Sequence, residues 1–73
     1  MAVVTRIFRV EGMHCGSCAL LIDDTLHDLP GVHGSQTSGR EQRSTVELDL
    51  SQTSAEDVIS AIEELGYRAA PVP

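Results

Sequence analysis

Two amphipathic stripes, each cut off by a glycine, constrain this chain more than any other feature. In the first, Ala19, Ile22, Leu26 and Leu29 recur at three- and four-residue steps, with Cys18 on the same line, and Pro30-Gly31 follows. In the second, Ala55, Val58, Ile59, Ile62 and Leu65 recur in the same way, and Gly66 follows. Such steps place side chains on one face of an α-helix, and a glycine just past the last apolar position stops it. The pattern predicts a first helix from Cys15 or Gly16 to about Asp28, and a second running to Leu65. Ser54-Ala55-Glu56-Asp57 supplies the second helix with an N-cap and an acidic first turn.

The segments around the helices read as strands. Thr5 to Val10 is β-branched and aromatic, with Phe8 and Val10 on one face and Ile7 and Arg9 on the other, so the first strand is expected over roughly residues 3–10. Val32 to Ser38 is polar and contains Gly34, Ser35 and Thr37, which suits an edge strand. Gly39 to Gln42 reads as a hairpin turn into a third strand, Arg43 to Leu50, with Val46 and Leu48 inward and Glu47 and Asp49 outward. Tyr67 to Val72 is a short last strand, closed by Pro71 and Pro73. The order β-α-β-β-α-β predicts an α+β sandwich of the ferredoxin-like type, with two helices on one face of a four-stranded antiparallel sheet.

Size limits what such a sandwich can do. Seventy-three residues make one domain, expected to span residues 1–73, without room for a large internal cavity. With aromatics at 3%, aliphatic side chains must build the core. Five Arg and no Lys face eleven Asp and Glu, and the net charge of −6 argues against nucleic acid or an anionic membrane as partner. No apolar run reaches the ~18 residues of a membrane span, and Met1 to Val10 has no apolar signal-peptide core. A cytoplasmic protein without membrane insertion is expected.

The chemistry gathers in Glu11-Gly12-Met13-His14-Cys15-Gly16-Ser17-Cys18, between the first strand and the first helix. A helix N-terminus favours negative charge, and so favours thiolates at Cys15 and Cys18. Three uses compete for such a pair. A closed zinc site would need His27 and His33 as well. His27 is nine residues past Cys18, which at ~100° and ~1.5 Å per residue puts it about two and a half turns away on the opposite face. Zinc ligands ~2 Å from the metal cannot be that far apart, so both histidines read as solvated. Thioredoxin-like redox sites also use C-x-x-C, but the motif alone is weak, and no proline stands where it could pack on the dithiol. Two thiolates suit a soft monovalent metal and leave it open to an incoming thiolate.

The run Gly12-Met13-His14-Cys15-Gly16-Ser17-Cys18 resembles the G-M-x-C-x-x-C motif of the heavy-metal-associated domain family. The resemblance extends through Leu29-Pro30-Gly31-Val32 to Ala61-Ile62-Glu63-Glu64-Leu65-Gly66-Tyr67. It takes in the small bacterial copper chaperones and the N-terminal metal-binding domains of copper-transporting P-type ATPases. It implies Cu(I) held by Cys15 and Cys18 and handed to a docked homologous domain, with no enzymatic activity. The implied partner is a copper-transporting P-type ATPase or its metal-binding domain. The implied apo form is a monomer, with a copper-bridged dimer as a further state.

Three more residues are candidates for a third ligand or for a place beside the sulfurs: His14, Met13 and Tyr67. The family places its methionine in the core, and bacterial members pack a tyrosine beside the site. His14 is expected to be exposed, and it offers Zn(II) a third ligand when copper is absent. Met1 at the start and Ala-Pro-Val-Pro at the end favour a free chaperone over a piece of an ATPase. A dithiol redox protein is the alternative of another class.

Overall fold

The computed structural model describes residues 3–13 and 16–72, so His14 and Cys15 lie outside the described residues, as do Met1, Ala2 and Pro73. The elements run β1 (Val3–Glu11), α1 (Gly16–His27), β2 (Val32–Ser38), β3 (Arg43–Asp49), α2 (Ala55–Glu64) and β4 (Arg68–Pro71). They form an α+β ferredoxin-like sandwich whose antiparallel sheet has the order β2-β3-β1-β4. β2 is therefore an edge strand, as its polarity predicts.

Alternation along the central strands sets the core. Phe8 and Val10 of β1 and Val46 and Leu48 of β3 are fully buried on the helix side. Across from them lie Ile22 and Leu26 of α1 and Val58 and Ile62 of α2, also fully buried. Ala19, Leu29, Ala55, Ile59 and Leu65 are half-buried against this cluster, and Ala61 joins it. Fully burying one such aliphatic side chain is worth roughly 1.5–3 kcal/mol, enough for a core with a single phenylalanine to hold the two layers together.

Polar residues close the seam between α1 and the edge strand. The Asp23 carboxylate accepts hydrogen bonds from Ser35 Oγ (2.6 Å), Thr37 Oγ1 (2.6 Å) and the Thr37 amide (3.2 Å). With its proton given to Asp23, Thr37 Oγ1 must accept from Ser44 Oγ at 2.9 Å, which satisfies a fully buried serine. The β2 serine and threonine, which offer an apolar core little, thus fasten the sheet to α1. The carboxylate also occupies an amide of the edge strand that an intruding strand would otherwise use.

One inward–outward assignment is corrected. Asp49, expected to face outward, is buried, because the turn after β3 folds back over it. Its carboxylate accepts from the Ser51 amide at 3.0 Å and from Ser51 Oγ at 2.6 Å. His33 Nε2 stands 3.8 Å away, brought there by a bulge that drops His33 from the β2–β3 register. The Ser51 hydroxyl, then the Ser51 amide, hold the Asp49 pKa below its ordinary 3.8, against a smaller opposing effect of burial. Gly31, with φ +90°, accepts at its carbonyl a hydrogen bond from the Asp49 amide at 2.7 Å. A Cβ there would come within 2.9 Å of Gln52 and Thr53 side-chain atoms, so the turn between α1 and β2 admits only glycine.

Candidate metal centre

Three connections meet at one end of the sandwich: the segment between β1 and α1, the β2–β3 hairpin, and the turn from α2 into β4. The Val10 amide donates to the Gln42 carbonyl at 2.9 Å, which ties the hairpin to the end of β1. Beyond Glu11 the chain turns through Gly12 at φ +100°, a conformation that favours glycine. A Cβ on Gly12 would sit 3.4 Å from Tyr67 Cδ1, so the tyrosine ring covers this turn from the β4 side. Tyr67 is half-buried against the core.

Met13 comes next and is buried in the same cluster as Phe8, Ile22 and Val58. Its side chain anchors the segment to the core immediately before His14 and Cys15. The chain enters α1 at Gly16, and Cys18 lies in the first helical turn with 9% of its surface exposed. That turn holds no acidic residue, whereas the first turn of α2 holds Glu56 and Asp57. No carboxylate in the first turn of α1 competes with a thiolate for the partial positive charge of the helix N-terminus. Cys15 adjoins this turn in sequence, one residue before Gly16.

The histidines that a closed zinc site would need are elsewhere. His27 ends α1, nine residues beyond Cys18, and His33 sits near the start of β2 beside Asp49; both are exposed. Among the described residues, no group of three or more His, Cys, Asp or Glu is close enough to hold a metal ion. Around the mouth of the segment, Leu20 is 67% exposed and Leu21 is also exposed, both within a turn of Cys18. Arg68 lies opposite Glu11 across β1 and β4. No described helix is long and apolar enough to cross a membrane.

A buried methionine and a cysteine at a helix mouth, with a tyrosine over the glycine turn, stand within residues 7–68, which match the model of the heavy-metal-associated domain. The chain belongs to that family. It is 31% identical over 62 residues to the copper chaperone CopZ of Enterococcus hirae, covering 85% of this chain and 90% of CopZ. It is 41% identical over 63 residues to the human copper-transporting ATPase 2, covering 86% of this chain but only 4% of the ATPase.

Solved structures agree. A CopZ metallochaperone superposes with a TM-score of 0.87 at 28% identity, over 92% of this chain and all of the other. A copper-binding domain of the P-type ATPase HMA7 superposes with a TM-score of 0.91 at 25% identity, over 94% and 93% of the two chains. Oxidised MerP from Ralstonia metallidurans gives 0.94 over 99% and 100% at 22% identity, a likeness of fold alone.

Proposed function

We propose that this chain is a single-domain Cu(I) carrier that holds copper on the Cys15 and Cys18 thiolates and passes it to a partner. One observation carries the reading: the likeness to CopZ extends over 90% of that chaperone's length, so this chain is similar to a whole carrier as well as to a domain. The surroundings of the pair support it. Soft thiolates select Cu(I), and Cys18 lies in a helical turn without acidic residues. The burial of Met13 in the core supports a site built on the two cysteine sulfurs.

Transfer proceeds by ligand exchange. A thiolate of the partner forms a bond to Cu(I) as a bond to one of the two cysteines breaks, and a second exchange releases the ion. Copper stays Cu(I) throughout, so no oxidant or reductant is needed and no substrate bond is made or cut: the protein is not an enzyme. The partner is a copper-transporting P-type ATPase or its metal-binding domain. The protein works in the cytoplasm, monomeric without metal, and a second copy bringing its own two thiolates gives a copper-bridged dimer. When copper is absent the thiolates accept Zn(II), with His14 as third ligand.

The same site serves a second reading, an N-terminal metal-binding domain belonging to an ATPase, which the identity to human ATPase 2 favours. The two readings differ in the chain's genomic reading frame, not in its chemistry. The test of both is Cu(I) titration under strict reduction with competing Zn(II). Wild type should bind one Cu(I) and exclude zinc, and Cys15→Ser and Cys18→Ser should each lose tight binding while keeping the fold. Tight binding retained by either variant would overturn the two-thiolate site.

A further inference from the structure

Arginine is confined to one of the two layers, where it stands among Glu11, Glu41, Glu47 and Asp49. The helices carry Asp23, Asp24, Glu56, Asp57, Glu63 and Glu64 and no arginine. Every arginine belongs to a strand or to the β2–β3 hairpin: Arg6, Arg9, Arg40, Arg43 and Arg68. Within the sheet they are further concentrated. Arg9 shares a face with Ile7, away from the helices, because Phe8 and Val10 point into the core. Arg43 is on the same outer face, since Ser44 and Val46 point inward. The register sets Arg9 directly opposite Arg43, with Ser38 beyond Arg43 and Ala70 beyond Arg9, one row across all four strands.

Like charges directly opposite on neighbouring strands repel, and here little offsets them. Arg9 has Glu11 at 3.8 Å, with both side chains more than half exposed, a pairing of small worth. Among the described residues, Arg43 and Arg40 have no carboxylate within salt-bridge distance. The row opens into a cleft of about 530 Å³ lined by Arg9, Arg40, Glu41, Gln42 and Arg43, with Ala70, Pro71 and Val72 of the β4 end. That volume is in the range of small-ligand sites.

We propose that this cleft on the outer face of the sheet binds an oxyanion ligand, a polycarboxylate or a phosphate, held between the guanidinium groups of Arg9 and Arg43 with Arg40 at its rim. Planar guanidinium groups take such anions through paired, charge-assisted hydrogen bonds. A bridging anion also removes the repulsion that the strand register imposes. The molecule as a whole is acidic, so an extended polyanion would meet the helix-layer carboxylates as well. A compact ligand engages three arginines and meets one lining carboxylate, Glu41. The site is on the face opposite α1 and involves neither cysteine.

The test uses reduced, metal-free protein at constant ionic strength, followed by backbone and arginine Nε resonances. Citrate, inorganic phosphate and a tetraglutamate peptide are titrated separately. Saturable shifts at Arg9, Arg43 and residues 38–43 with any of the three are expected, and the tightest binder tells a free metabolite-sized anion from the carboxylates of an acidic segment. Arg43→Gln should weaken that binding about tenfold, the worth of one charge-assisted hydrogen bond. Arg6→Gln removes the same charge from the other face of β1 and should leave affinity unchanged. Both variants change exposed residues, and unshifted core resonances check their folds. Shifts that rise linearly without saturating, or equal losses in the two variants, would reject the site in favour of diffuse charge.

Discussion

Helix α2 meets the sheet through Val58, Ala61 and Ile62, all buried, whereas α1 buries Cys18, Ile22 and Leu26 and fastens its flank to the edge strand with the Asp23 carboxylate. Their termini differ in the same sense. α2 begins with Ser54 capping the Asp57 amide and two acidic residues in its first turn, so its N-terminus is already provided for. α1 begins at Gly16 after the Met13–Cys15 segment, with no acidic residue in its first turn and a cysteine in it. The N-terminus of α2 is capped, whereas that of α1 has no carboxylate in its first turn and leaves Leu20 and Leu21 exposed nearby. The comparison teaches where a small domain can place chemistry: at the end of the helix that is also held laterally by hydrogen bonds, while both helices share the core.

Substitutions can break the comparison. The largest effect should come from Ile62→Ala, which opens a cavity under α2 and should cost about 2–5 kcal/mol of unfolding free energy. Measured by urea denaturation of the metal-free protein, a loss below ~1 kcal/mol would mean that Ile62 does not anchor α2. Asp23→Ala should come next, at about 1–3 kcal/mol, because it leaves Ser35 and Thr37 without their acceptor. Asp23→Asn keeps one acceptor oxygen and should recover part of the loss. Equal stability of Asp23→Ala and wild type would show that the apolar stripe alone holds α1.

Smaller changes sharpen the contrast. The turn leading into α2 is held by Asp49, whose pKa lies below 3.8 chiefly through Ser51. A depressed native pKa stabilises the fold fully above the unfolded value, and that contribution is lost as pH falls through the lowered one. Ser51→Ala should raise the Asp49 pKa toward 3.8 and move this loss to higher pH, as read by a carboxyl-carbon NMR titration; an unmoved titration would remove Ser51 as the cause. The smallest effect on stability, within about 0.5 kcal/mol, is expected for Leu20→Ser and Leu21→Ser, since both side chains are exposed. The same pair should slow Cu(I) transfer to an ATPase metal-binding domain in a stopped exchange assay. Unchanged transfer would place docking elsewhere.

The sequence by itself determined the order of the six elements, the polar edge strand, both helix stops and the place of Cys18 at the start of α1. These are local signals. Burial of apolar side chains is non-directional and leaves a period in the chain, and glycine marks the backbone where it turns. Met13 carries no such period, and only the family resemblance and the gap-filling habit of methionine pointed to its burial.

Only the tertiary structure decided the polar contacts. Asp23 binds Ser35 and Thr37, residues 12 and 14 positions away. Asp49 is buried by a turn that the alternation of β3 does not foretell. Arg9 stands opposite Arg43 through strand register. Tyr67 reaches Gly12 from the far end of the chain. Hydrogen bonds and charge pairs act between particular atoms at short range, so they become definite only when folding brings distant segments within ~3 Å and sets their directions.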